Sequence, residues 1–238
     1  MLSKKVVKDI QSLGLKKYRE ETGLFVAEGR KTVEELLKII PQQIVAIYAT
    51  AEWSKGKVHK HLEIIEHVEL EKLSSLKTPN EVVAVIKQSP TTTPGGSSFT
   101  LYLDTIQDPG NFGTIIRIAD WFGIKDIVCS RGCADLYNPK VVQSTMASIA
   151  RVNVYYDVDE TWLLQQSSII YAASLRGKPL NNFDKAATGI LIIGNESKGI
   201  RKEFLDRASE LVTIPKRGGA ESLNAAVATG IILSHLLP

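Results

Sequence analysis

Apolar positions along the chain first recur with helical spacing: Val6, Ile10 and Leu13 share one face, while Lys4, Lys5 and Lys8 lie elsewhere. "GLFVAEG" (23–29) then reads as a short strand, and the helix after it carries Val33, Leu36, Leu37 and Ile40 on its apolar side. "IVAIYAT" (44–50), "VHKHLEIIEHVEL" (58–70) and "EVVAVIK" (81–87) continue the alternation of strands and helices. The pattern predicts a small α/β layer domain over residues 1–88.

"KQSPTTTPGGSS" (87–98) breaks the pattern, because proline removes donors, glycine adds backbone freedom, and Ser and Thr offer little to pack. We read residues 89–98 as a linker and 99–238 as a second domain. Strands are expected at "FTLYLD", "DIVCS", "VNVYY", "SIIYAAS", "GILIIGN" and "LVTIP". Several are continuous apolar runs, as parallel strands covered on both faces require. Helices are expected at 113–122, 139–150, 200–210 and 222–237, the last apolar nearly all round and therefore buried in a core or against a second subunit.

Composition narrows the class. A hydrophobic content of 44% and a charged content of 23% are those of an ordinary globular chain. The net charge of +3 permits a polyanionic partner without demanding one. Basic residues crowd the first thirty-one positions, in "SKKVVKDI", "LKKYR" and "GRK"; such clustering can present a positive face to phosphates, or simply a solvated helix surface. Cys129 and Cys133 are too few for a disulfide framework and show no zinc spacing with the four histidines, so no metal is expected. The lysines near the amino terminus precede no apolar signal core, and no run is long enough to span a membrane, which predicts a cytoplasmic protein.

Candidate chemistry lies in three polar segments that each follow a buried strand. "DPGNFG" (108–113) occupies the strand-to-helix position where open parallel sheets bind ligands. On a helical wheel Ile115, Ile118, Ala119 and Phe122 share a face, and Arg117 points away from it. Asn111 could cap the helix, and the glycines fall short of a dinucleotide GxGxxG fingerprint. In "GILIIGNESKGI", Glu196 sits between Gly194 and Gly199, either as a helix cap or as a carboxylate held to orient a substrate or a partner arginine. In "VTIPKRGGAESLNAAVATG", Ser222 is an N-cap candidate and Asn224 falls in the first helical turn, where an amide needs partners. Three segments of one grammar look like the walls of one pocket.

At these segments the chain resembles the SpoU group of ribose methyltransferases, through "DPGNFGTIIRIA", "LIIGNESKGI" and "IPKRGGAESLNAAVATG" in that order. The front part resembles that group's RNA-binding domain through "LKKYREETGLFVAEGRKTVEELL". The resemblance implies an L30e-like α/β substrate-binding domain followed by a parallel-sheet α/β domain with a deep trefoil knot, S-adenosyl-L-methionine as cofactor, and a homodimer formed through the second domain. It implies functional roles for Asn111, Arg117, Glu196, Ser222 and Asn224, and cofactor contacts at Ser174, Ile193, Gly194, Ile214 and Leu223. It also implies RNA binding, with ribosomal RNA preferred over transfer RNA, for which Lys16, Lys17, Arg19, Arg30 and Lys31 are the candidates. An arginine is common in the group where Gln143 stands, and a glycine where Ala147 stands.

The implied reaction moves a methyl group to a ribose 2′-hydroxyl. A guanidinium stays protonated in proteins and is a poor base, so Arg117 is expected to bind the neighbouring phosphate and polarise the hydroxyl. Ser222 and Asn224 are expected to position the ribose or the cofactor tail, and Glu196 to orient Arg117 or its partners. Two other readings stay open: a non-catalytic RNA-binding protein of the same fold, and a nicotinamide-dependent oxidoreductase.

Overall fold

The computed structural model describes residues 1–95 and 98–238, so positions 96 and 97 of the expected linker lie outside the described residues. Two units are formed, Met1–Pro90 with Asp135–Ala150, and Thr91–Ala134 with Arg151–Pro238. The elements up to the linker are α1 (Lys4–Ser12), α2 (Lys16–Thr22), β1 (Leu24–Glu28), α3 (Arg30–Ile39), β2 (Ile44–Ala49), α4 (Ala51–Ser54), β3 (Leu62–Ile64), α5 (His67–Leu73) and β4 (Val82–Lys87). Those after it are β5 (Phe99–Asp104), α6 (Pro109–Trp121), β6 (Asp126–Ser130), α7 (Pro139–Thr145), β7 (Asn153–Asp157), β8 (Ile170–Pro179), β9 (Gly189–Gly194), α8 (Lys202–Leu205), β10 (Glu210–Thr213) and α9 (Ala225–Leu236).

In the first unit the strands run in the order β1-β4-β2-β3. β4 is antiparallel to both neighbours and buries Val82 to Ile86, while β2 and β3 are parallel. Ser3 caps α1 by accepting from Val6 N, and Gly23, at φ +64°, ends α2 in the left-handed region. The returning segment 135–150 belongs to this unit for a physical reason: Arg19 is buried there, and its guanidinium is paired with Asp135. Tyr137 adds a ring contact to Phe25, with centroids 4.8 Å apart.

The second unit is a six-stranded sheet, β10-β8-β9-β5-β6-β7, parallel throughout. All six residues of β5 are buried, as a central strand covered on both faces demands. One apolar cluster joins Tyr102, Val128, Ile190 and Ile192 of the strands to Trp162 and Phe204. α6 and α9 pack on each other, and each buries an apolar set, Ile115, Ile116 and Ala119 on α6 and Ala226, Ile232 and Leu233 on α9. The order of strands makes a switch point: from β5 the chain proceeds to β6 on one side, and from β9 it proceeds to β10 on the other. Loops diverging at such a point open a crevice beyond the carboxyl ends of the two central strands.

Helix boundaries differ from the sequence-based expectation in an instructive way. The helix expected at 113–122 begins at Pro109, because proline is at home in the first turn and Asp108, not Asn111, is its N-cap, accepting from Asn111 N at 2.8 Å. "DPGNFG" is thus a cap and a first turn. The helix expected from 222 begins at Ala225 with Asn224 as N-cap, so Ser222 does not cap it. The one expected at 200–210 shrinks to Lys202–Leu205. The one expected at 139–150 breaks where Met146 and Ala147 take φ of +49° and +74°; a glycine at 147 meets this conformation without a Cβ penalty.

Candidate active site

The three polar segments meet, and they do so through side-chain amides. α9 opens with Asn224, whose Oδ1 accepts from Ala226 N at 3.0 Å and Val227 N at 3.2 Å. That capping duty aims its Nδ2 outward, where it donates to Asn111 Oδ1 at 2.7 Å. Asn111, in the first turn of α6, then presents its own Nδ2 to Glu196 Oε1 at 2.6 Å. Each amide orientation is dictated by the preceding one, so the chain of donors must end on an acceptor, which a carboxylate supplies. Hydrogen bonds in series polarise one another.

Glu196 is carried by a five-residue turn. Asn195 and Gly199 pair through both backbone bonds, at 3.1 and 2.9 Å. Gly199 takes φ +72°, and a Cβ on Gly194 would lie 2.4 Å from the Gly199 carbonyl carbon, so neither position tolerates a side chain as the backbone stands. Asn195 fills the turn: its Oδ1 accepts from Ser197 N, Ser197 Oγ and Lys198 N, and its Nδ2 donates to Thr105 O at 2.9 Å. The turn is thereby fastened to the segment leaving β5.

Beneath it lies an ionic group that no motif announced. Asp104, fully buried at the end of β5, accepts from Arg201 N at 2.7 Å, Arg201 Nε at 2.9 Å and Ser130 Oγ at 3.1 Å. Glu160 takes the two terminal nitrogens of Arg201 at 2.7 and 2.9 Å and accepts from Arg131 N. The hydrogen bond from Arg201 holds the Glu160 carboxyl below its usual range, and Glu160 in turn raises Arg201 further. A charged residue closing an otherwise apolar strand, as Asp104 closes "FTLYLD", is the signal that could have found this group.

Among the sequence-derived candidates, Asn111, Glu196 and Asn224 are brought together. Glu196 meets Asn111 rather than Arg117. Arg117 is exposed on α6 and forms no hydrogen bond or ion pair among the described residues. Ser222 and Leu223 are exposed just before Asn224. Ile193 and Gly194 end β9, Ser174 lies on the neighbouring β8 with its carbonyl bound by Thr213 Oγ1 at 2.9 Å, and Ile214 follows β10. Ile193 and Gly194 thus lie at the end of β9 and Ile214 just past the end of β10, with Ser174 midway along β8 between those two strands.

In the first unit, the basic candidates separate. Lys16 and Lys17 are exposed, each within 4 Å of a glutamate one turn on, and Lys31 is exposed. Arg30 binds Glu81 at 2.7 Å with about half its side chain open. Arg19 is a correction: it is 2% exposed, bonded to Asp135 and Leu13 O, and so unavailable to a polyanion. Among the described residues no helix is long and apolar enough to cross a membrane, and no group of three or more acidic, His or Cys side chains could hold a metal.

Comparison with known proteins places these observations. Residues 98–234 match the SpoU rRNA Methylase family, and residues 4–84 match the MRM3-like substrate binding domain. The chain is 32% identical over 238 residues to the 23S rRNA (guanosine(2553)-2′-O)-methyltransferase RlmP of Bacillus subtilis, covering 97% of this chain and 95% of that one. A TrmH-family protein of Porphyromonas gingivalis superposes with a TM-score of 0.88 at 34% identity, covering 100% of this chain and 98% of that one. An AdoMet-bound rRNA methyltransferase of Sinorhizobium meliloti superposes with a TM-score of 0.84 at 30% identity, covering 99% and 95%.

Proposed function

Because the chain belongs to the SpoU rRNA methylase family, we propose that it methylates a ribose 2′-hydroxyl of large-subunit ribosomal RNA with S-adenosyl-L-methionine. The observation that carries the reading is the hydrogen-bonded chain Asn224–Asn111–Glu196, which joins the three segments at the switch point of a parallel sheet. The residues beside it suit the cofactor. Gly194 keeps the end of β9 bare of side chain, Ile214 and Leu223 offer apolar surface, Ile193 is buried and offers only its backbone, and Ser174 adds a hydroxyl. When bound, that cofactor supplies an electrophilic methyl group on a sulfonium.

The chain's own residues bind and orient. Arg117, uncommitted among the described residues, takes the phosphate beside the target ribose and stabilises charge developing on the 2′-oxygen. Asn111 and Asn224 lock the frame against Glu196. Ser222, exposed just before Asn224, holds the sugar. Methylation of the 2′-oxygen would break the S–CH3 bond of the donor, leave it as a neutral thioether, and release the hydroxyl proton to solvent. Lys16, Lys17, Arg30 and Lys31 contribute RNA affinity through phosphates.

A homodimer through the second unit belongs to the same reading. Leu223, Val227 and Ile231 follow one another at four-residue spacing, and Val227 is 51% exposed; Trp121 of α6 is 85% exposed. A second copy would cover this apolar surface. A knotted chain path and a cytoplasmic location complete the proposal. The test is transfer of labelled methyl from the cofactor to unmethylated ribosomal and transfer RNA, followed by mapping of 2′-O-methyl positions. Label confined to transfer RNA would move the substrate, and label in neither would reject the activity.

A further inference from the structure

The contacts of Asp104 and Arg201 have more order than a stability device needs. Asp104 and Gly194 are register partners, the last residues of two adjacent strands. From these two points the arms of the site diverge: one runs from Asp104 through Thr105 and Asp108 to Asn111, the other from Gly194 through Glu196 back to Arg201. Asp104 ties the second arm at its return, because Arg201 N and Nε both donate to its carboxylate. Asn195 ties the same turn to Thr105, the residue after Asp104. The tips of the two arms are then the partners in the Asn111–Glu196 bond at 2.6 Å.

Arg201 is gripped from its other edge as well. Glu160, past the end of β7, holds both terminal nitrogens, and Glu203 adds a contact at 3.1 Å. The guanidinium also lies over the Phe204 ring, 4.5 Å from its centroid. With Nε on Asp104 and the fork on Glu160, the plane of the guanidinium is fixed in position and tilt. A lysine in its place keeps one charge but loses the planar fork.

We infer that Arg201, seated between Asp104 and Glu160, is a positioning residue for methyl transfer: it fixes the turn of residues 195–200 on β5 and so holds Glu196 against Asn111. The inference rests on the methyltransferase reading for its kinetic consequence but not for its structural one.

The experiment uses the full chain and the variants Arg201→Lys, Glu160→Gln and Glu196→Ala, with labelled asparagine side chains observed by NMR and methyl transfer measured in parallel. In the wild type the Asn111 side-chain amide shows one shifted, exchange-protected proton. Arg201→Lys moves that signal to the place it takes in Glu196→Ala, which lacks the acceptor, and Glu160→Gln moves it part of the way. Turnover in Arg201→Lys falls on the order of 10²-fold, as displaced catalytic groups do, while the RNA KM is nearly unchanged. Combining Arg201→Lys with Glu196→Ala adds little further loss, because both act through one contact. An unmoved Asn111 signal, additive losses, or a lowered Tm with unchanged kcat would each overturn the assignment. Should Arg201→Lys fail to fold, Glu160→Gln carries the same readouts with the Asp104 contacts intact. Absence of methyl transfer by the wild type would reject the proposed activity, and the amide signal would still decide the role of Arg201.

Discussion

Asn224 donates to Asn111 across 113 residues of chain, Nδ2 to Oδ1 at 2.7 Å. The same Asn224 caps α9, so one side chain both starts a helix and passes a directed hydrogen bond into the site. Orientation is transmitted without ambiguity: the helix N–H groups fix the Asn224 amide, Asn224 fixes Asn111, and Asn111 requires an acceptor at Glu196.

The two duties of Asn224 can be separated. Asn224→Asp keeps an N-cap acceptor and sets a negative charge at the positive end of α9, so thermal stability stays within a few tenths of a kcal/mol. It removes the donor to Asn111 and places a second carboxylate near Glu196, so methyl transfer falls steeply. Asn224→Ala loses the cap too and costs about 1 kcal/mol in addition. Denaturation midpoints and turnover measured on both variants check the pair; an active Asn224→Asp would show that the chain of amides is dispensable.

Arg117 is exposed and unbonded within the described residues, so its removal changes the folded state little. Arg117→Ala is expected to leave stability within about 0.5 kcal/mol and cofactor affinity near the wild-type value, while turnover drops by about 10²-fold or more, as loss of a charge-stabilising donor does. Arg117→Lys recovers part of the loss, since it restores the charge without the fork. Calorimetry with the cofactor and labelled-methyl transfer separate the two effects.

Much of this arrangement was legible in the sequence, and the remainder was hidden for identifiable reasons. The central strands declared themselves as unbroken apolar runs, and the segments after them as polar breaks. Pro109 and Gly110 disguised the first turn of α6, because residues poor in a helix interior are acceptable at its start. Arg19 reads like its neighbours Lys16 and Lys17, yet its partner Asp135 stands 116 residues away, and local periodicity carries no record of such pairing. Arg201 and Asp104, 97 residues apart, escaped for the same reason.

That distinction makes Arg19 and Lys31 a useful contrast. Arg19→Ala leaves Asp135 without its cation and is expected to cost roughly 3–5 kcal/mol, the scale for breaking a buried pair. Lys31→Ala should leave stability unchanged and weaken RNA binding, with the slope of log K against log salt falling by about 0.7–0.9, the value for one phosphate contact. Urea unfolding and filter binding over a salt series distinguish them. A Lys31→Ala protein with an unaltered slope would take this residue out of the RNA interface.

Glu160 sets a pH dependence for stability. The hydrogen bond from Arg201 depresses its folded-state pKa below the value it has in the unfolded chain. The unfolded state therefore binds the proton more readily through the acid range, and stability rises with pH there. The contribution is complete above the ordinary glutamate value of about 4.3 and disappears as pH falls through the depressed folded-state value. Glu160→Gln removes the titrating group. The gap in unfolding free energy between wild type and Glu160→Gln is expected to be widest near neutral pH and to close progressively as the solution is acidified. Urea titrations of both proteins across that range provide the check, and a gap that stays constant or widens in acid would mean that Arg201 does not hold Glu160 ionised in the folded protein.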